Sequence, residues 1–164
     1  MALLTVDWED WHDALHIDGE SLIREPTMFL FEILAKYDVK ATFYILGKTA
    51  QREPWIYDEL FNHGHTARSH GYYHYPYEDA DRKPYANMGM TGGFYFRALP
   101  YWLIKREVER NGQLYVHPHD LMLYHPKLSN PILNWKRHIG LSSARHKLDR
   151  LLQEVHFDDP RQET

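Results

Sequence analysis

Short apolar runs alternate with amphipathic stretches through the first half of the chain. Leu3 to Val6 is an apolar run bounded by polar residues, which predicts a short buried strand. Trp11 to Leu15 reads as a loop. Met28 to Tyr37 carries apolar Met28, Phe29, Phe31, Ile33 and Leu34 with Glu32 and Lys36 on the other face, the pattern of an amphipathic helix entered after Pro26-Thr27. Ala41 to Gly47 is a second apolar strand ended by glycine. Pro54 to Asn62 predicts a second helix, with proline in its first turn and Gly64 just past its end. Ala67 to His70 is a third short strand.

The rhythm then breaks. Pro76 to Met90 is polar, contains proline and has no period, so it reads as loop. After Gly92-Gly93-Phe94-Tyr95-Phe96 come a helical segment, Tyr101 to Arg110, and a strand, Gly112 to Val116, with His117 at its carboxyl end. Pro126 to Pro131 reads as loop. Ser142 to Glu154 is an amphipathic helix with Leu148, Leu151 and Leu152 inward, and Val155-His156-Phe157 predicts a last strand. Strand–helix alternation of this kind implies a parallel α/β sheet or barrel. In such folds ligands gather at the carboxyl ends of the strands, where Asp7 and His70 both fall.

Composition narrows the chemistry. The chain has 164 residues, 43% of them hydrophobic, and a formal net charge of −4, which suits one globular domain, residues 1–164, with a real core. The slight acidity and the lack of a dense basic run give no footing for nucleic acid. The apolar start is too short for a signal peptide or a membrane span, so the expected location is cytoplasmic. With no cysteine, disulfides and thiolate metal sites are excluded. Any metal must be held by imidazole and carboxylate, which suits Zn²⁺, Ni²⁺, Co²⁺ or Mn²⁺.

Two clusters carry candidate chemistry. Asp7 and Glu9 alternate by two, so on an extended strand they face the same side, and Asp10 comes directly after. His70 and His74 lie at a spacing that lets two imidazoles share one metal ion. His63 and His65 read as an ordinary helix end, where imidazole is favoured by the dipole. His119 and His125 read as solvated. Aromatic residues reach 15% of the chain. Trp8, Trp11, Tyr72 and Tyr73 are equally compatible with a sugar site and with core or rim packing.

These segments resemble the polysaccharide deacetylases of carbohydrate esterase family 4, the NodB-homology domain, and in particular the branch associated with exopolysaccharide clusters. Thr5-Val6-Asp7-Trp8-Glu9-Asp10-Trp11-His12 is similar to the first motif, and Gly64 to His74 to the second. Thr91 to Tyr101 and Leu114-Tyr115-Val116-His117-Pro118 resemble the C-terminal portion. The resemblance implies a distorted (β/α) barrel and a metal-dependent hydrolase that removes N-acetyl groups from the amino sugars of a polysaccharide or oligosaccharide. It implies Asp7 as base, His117 as acid, and Glu9, His70 and His74 as ligands of a divalent metal, first of all zinc. Asp10 competes with Glu9 for the carboxylate position.

One departure is large. Family members carry further strands, helices and an arginine–proline motif between the second motif and the Gly-Gly-Phe segment, where this chain has only Tyr75 to Met90. A closed barrel usually needs ~200–250 residues, so the barrel is expected to lack part of its middle, with a discontinuity within 75–90. Arg97-Ala98-Leu99-Pro100-Tyr101 looks like the missing motif but sits in the wrong place, so the orienting role is not carried over to Arg97. Two other readings stay open: a metal-independent amidohydrolase acting on a small molecule, and a non-catalytic, truncated glycan-binding homologue.

Overall fold

The strand Leu3–Trp8 (β1) is buried along nearly its whole length, because it runs through the middle of a parallel sheet with the order β3-β2-β1-β4. A central strand covered on both faces must be apolar almost without alternation, which is what Leu-Leu-Thr-Val supplies. This is seen in a computed structural model that describes residues 1–73 and 91–162. On one side β1 pairs with β2 (Thr42–Ile45), Val6 opposite Phe43 and Asp7 opposite Tyr44. On the other it pairs with β4 (Gln113–Val116), Val6 opposite Val116. The strand Thr66–Ser69 (β3) pairs outside β2, and its mostly exposed residues, Arg68 among them, suit an edge.

The helices are laid out in chain order. Helix α1 (Arg24–Lys36) precedes β2; α2 (Gly47–Arg52) and α3 (Ile56–His63) lead to β3. Then α4 (Gly93–Ala98) and α5 (Tyr101–Asn111) lead to β4, and α6 (Pro131–His138) and α7 (Leu141–Glu154) come after it. Short 3₁₀ turns occupy Asp13–Leu15, Pro118–Leu121 and Pro160–Gln162. One apolar core joins Leu4, Val6 and Phe43 of the sheet to Leu30, Phe31 and Leu34 of α1, Ile104 and Val108 of α5, and Leu148 and Leu151 of α7. Gly64, in the left-handed conformation at φ 68°, closes α3 as expected.

The parallel α/β architecture agrees with the hydrophobic pattern, and four strands are what the described residues hold of a barrel. Three helices lie outside the sequence expectation. Helices α2 and α4 are short, and their sequences have no amphipathic period to read. Helix α6 buries none of its residues, so no apolar face announces it, although the Asn130 side chain caps it by accepting from the Ile132 and Leu133 N–H groups, both at 3.0 Å. Phe157 makes an isolated bridge to Ala2 rather than a full strand. The discontinuity expected within 75–90, and His74, lie outside the described residues. No described helix is long and apolar enough to cross a membrane.

Gly140, between α6 and α7, has φ 70°, and a Cβ there would overlap the Arg97 carbonyl. Gly140→Ala therefore combines left-handed strain with a backbone clash, and is expected to cost at least ~1–3 kcal/mol. Thermal melting checks this: a midpoint within about 2 °C of the parent would contradict it.

Candidate active site

The carboxyl ends of three strands deliver the candidate residues to one place. Asp7 is the penultimate residue of β1, Glu9 lies just past that strand, His70 just past β3 and His117 just past β4. His117 Nε2 lies 3.8 Å from an Asp7 oxygen and 3.7 Å from a Glu9 oxygen. His70 Nε2 lies 3.9 Å from the other Glu9 oxygen. Asp7, Glu9 and His70 are all buried. The sequence separates His117 from Asp7 by most of the chain, and the direct pairing of β4 with β1 brings them together.

Asp10 does something else. Its carboxylate accepts from the backbone N–H groups of His12 at 3.0 Å and Leu22 at 2.7 Å, and from Arg52 Nη2 at 3.3 Å. Asp13 adds bonds from Thr49 Oγ1 at 2.7 Å and Arg52 Nη2 at 2.9 Å. The pair organises the loop between β1 and α1, so Asp10 is committed to that loop while Glu9 faces the two imidazoles.

His117 is held from behind. Its backbone N–H (3.1 Å) and ring Nδ1 (2.8 Å) both bond one oxygen of Asp120, and Arg97 Nε donates to the other at 2.8 Å. Burial alone would lower the His117 pKa, but Asp120, with Glu9 and Asp7, outweighs it and raises the value to about 9. Burial likewise works against ionised Asp120, but the neighbouring His117, His119 and Arg97 hold its carboxyl well below the usual range. Arg97 does belong to this site, through Asp120. Its remaining N–H groups donate to the carbonyls of Lys136 (3.2 Å), Arg137 (2.6 Å) and Ile139 (3.0 Å) at the end of α6. The link from Arg97 to Asp120 has no local sequence signal, and the helix it grips has only its Asn130-Pro131 start.

His119 and His125, expected to be solvated, are buried. Trp11 packs against both and is itself buried, its ring centroid 4.1 Å from His125 and 6.1 Å from His119. His125 Nε2 bonds the His119 carbonyl at 2.5 Å. The His119 ring stacks on His117 with centroids 4.6 Å apart. Glu9, His117 and His119 thus offer three ligand atoms within 4.8 Å of one another. Arg137 Nη1 lies 3.2 Å from His119 Nε2. A guanidinium can only donate, so Nε2 accepts and a neutral ring carries its hydrogen on Nδ1. In this arrangement Arg137 engages the His119 Nε2 lone pair, while His119 Nδ1 is buried without a hydrogen-bond partner among the described residues. Trp8 is also core, its indole N–H donating to Thr27 Oγ1 at 3.0 Å. His65 is half-buried against Phe31 and Phe43, and desolvation, helped by Lys40 and His63, lowers its pKa to about 4.

Over His117 opens a cavity of about 520 Å³, lined by Glu9, His117, Phe94, Tyr95, Lys136 and Arg137 among others. Glu9 and Asp120 line it together with Arg97, His117 and the α6 cations Lys136 and Arg137.

Comparison with known proteins agrees with the fold. A mutant of BA3943, described as a CE4 family pseudoenzyme with restored enzymatic activity, superposes with a TM-score of 0.52 at 15% identity over 96% of this chain and 64% of that one. Wild-type BA3943 from Bacillus anthracis gives 0.49 at 13% identity, covering 94% and 62%. The polysaccharide deacetylase Bc1974 from Bacillus cereus gives 0.49 at 14%, covering 100% and 93%. This chain therefore spans less than two thirds of the BA3943 structures. No curated protein matches. A family model described as "Domain of unknown function (DUF3473)" matches residues 65–163, more than half of the sequence, including β3, His70, Arg97, His117 and Asp120. The chain belongs to the DUF3473 family.

Proposed function

We propose that this protein is a metal-dependent hydrolase that removes N-acetyl groups from the amino sugars of a polysaccharide or oligosaccharide. The observation that carries the reading is the convergence of Asp7, Glu9, His70 and His117 at the carboxyl end of one parallel sheet. The donor set fits a divalent cation. Two ligands at ~2.0–2.2 Å from a tetrahedral metal sit about 3.4 Å apart, and Glu9 and His70 are 3.9 Å apart. Glu9 and His70, with His74 as third ligand, would hold it, zinc first and Co²⁺, Ni²⁺ or Mn²⁺ after. When bound, the cation supplies a polarised amide carbonyl and a water of lowered pKa.

The chain's own residues do the rest. Asp7, beside Glu9 and clear of the loop that occupies Asp10, takes the proton of the attacking water. His117 stays protonated at neutral pH because Asp120 faces its Nδ1, and its Nε2 points into the cluster, where it donates to the departing amine. Arg97 fixes the other Asp120 oxygen and adds to the hold that His117 and His119 have on its ionised form. A catalytically silent homologue is the second reading, favoured by the short stretch of chain between β3 and α4.

Elemental analysis and acetate release test the assignment together. His70→Ala and Glu9→Gln are expected to lose stoichiometric metal. Asp7→Asn and His117→Ala should keep it while losing ~10²–10⁴-fold in acetate release from an N-acetylglucosamine oligosaccharide. Unchanged metal in both ligand variants, or losses below about tenfold in the other two, would sink the assignment. No acetate from the metal-loaded parent would favour the silent homologue.

The raised His117 pKa has a sign. Stability from its folded-state partners is fully present below the unfolded value of about 6.5 and is lost as pH rises through about 9. In the metal-free protein the His117 ring signal should titrate near 9 by NMR. Asp120→Asn should lower that midpoint by ~1–3 units. A midpoint near 6.5 in both proteins would refute the relay.

A further inference from the structure

Arg137 is a cation in search of an anion. Its guanidinium lies in the wall of the same cavity as Glu9 and His117. Its side chain touches the acceptor nitrogen of His119 at 3.2 Å and the face of Trp11, 5.1 Å from the ring centroid. Among the described residues no carboxylate lies within ion-pair distance of it. A guanidinium placed only to favour the end of α6 would point to solvent, as last-turn cations commonly do. This one is half-buried and turned into the cleft. The neutral imidazole and the indole face orient it without consuming its charge, leaving N–H groups of its planar fork for a ligand.

The wall is built, not loose. The buried Arg97 side chain bonds the backbone carbonyls of both Lys136 and Arg137, so the two adjacent cations are carried on a fixed strip of chain. Lys136 lines the same cavity and also has no ion pair among the described residues. Beside them stand Tyr95, Phe94 and Trp135, the last two with ring centroids 6.3 Å apart, offering flat apolar faces of the kind that stack on sugar rings. The ligand chemistry this pairs with is a carboxylate carried on a sugar.

We propose, building on the deacetylase reading above, that Arg137 and Lys136 form a subsite for the carboxylate of an acidic sugar flanking the amino sugar, so that the substrate class is an anionic glycan. A bidentate guanidinium–carboxylate contact is the interaction that separates such a glycan from a neutral one.

The test is calorimetric binding of two tetrasaccharides to the metal-loaded protein. One alternates N-acetylglucosamine with glucuronate; the other contains N-acetylglucosamine alone. The parent should bind the acidic chain about tenfold or more tightly than the neutral one, and the preference should shrink as salt is raised. Arg137→Gln, which can still donate to His119, should abolish the preference, and Arg137→Lys should keep part of it, at an unchanged melting temperature. Equal affinities in the parent, failure of the acidic chain to bind, or a preference that survives Arg137→Gln would overturn the proposal. Acetate release, measured in parallel, judges the deacetylase reading separately: binding with Arg137-dependent preference but no acetate would leave the subsite standing and remove that reading.

Discussion

The C-terminal half of the molecule is organised around one buried guanidinium. Arg97 donates to Asp120 and to three carbonyls at the end of α6, so one side chain ties the carboxylate beside His117 to the cleft wall. Breaking a buried pair of this kind by removing one partner leaves an uncompensated charge and costs about 3–5 kcal/mol. Lys147 reinforces the arrangement from α7, its Nζ donating to the carbonyls of Arg97 and Leu99, each at 2.6 Å. Gly140 lets the chain pass close enough for these bonds to form.

The N-terminal half contributes the opposite sign. β1 is interior to the sheet, so the residues at and just past its carboxyl end are delivered to the middle of the sheet's carboxyl edge. Asp7 and Glu9 occupy that point, and burying two carboxylates side by side is unfavourable without positive charge close by. His117 supplies part of that charge, and a cation between Glu9 and His70 would supply the rest. The site is thus a meeting of two electrostatic halves, one from β1 and β3 and the other from β4 and the 3₁₀ turn after it.

How much of this is legible in the sequence depends on the range of the forces involved. The strands around Leu4, Phe43 and Leu114 and the long helix bearing Leu148 and Leu151 announce themselves, because burial imposes a period that the chain must carry. Gly64 announces a helix end because only a few residues accept its conformation. The carboxylates and His70 are visible as types at the ends of apolar runs. Arg97 has no role that the sequence assigns, since its bond to Asp120 spans 23 positions and no local pattern encodes it. His119 and His125 read as solvated for the same reason: they are covered partly by Trp11, which lies near the other end of the sequence. Helix α6 carries a legible cap in Asn130-Pro131 but no buried face to extend it.

The proposed cation would set the electrostatic balance of the site by its position. Anomalous diffraction from crystals of the zinc-loaded protein measures this directly. The predicted result is one strong peak bonded to Glu9 and His70 at ~2.0–2.2 Å, with His117 beyond bonding distance and its Nδ1 still on Asp120. A peak bonded to His117 and His119, or none near Glu9, would contradict it.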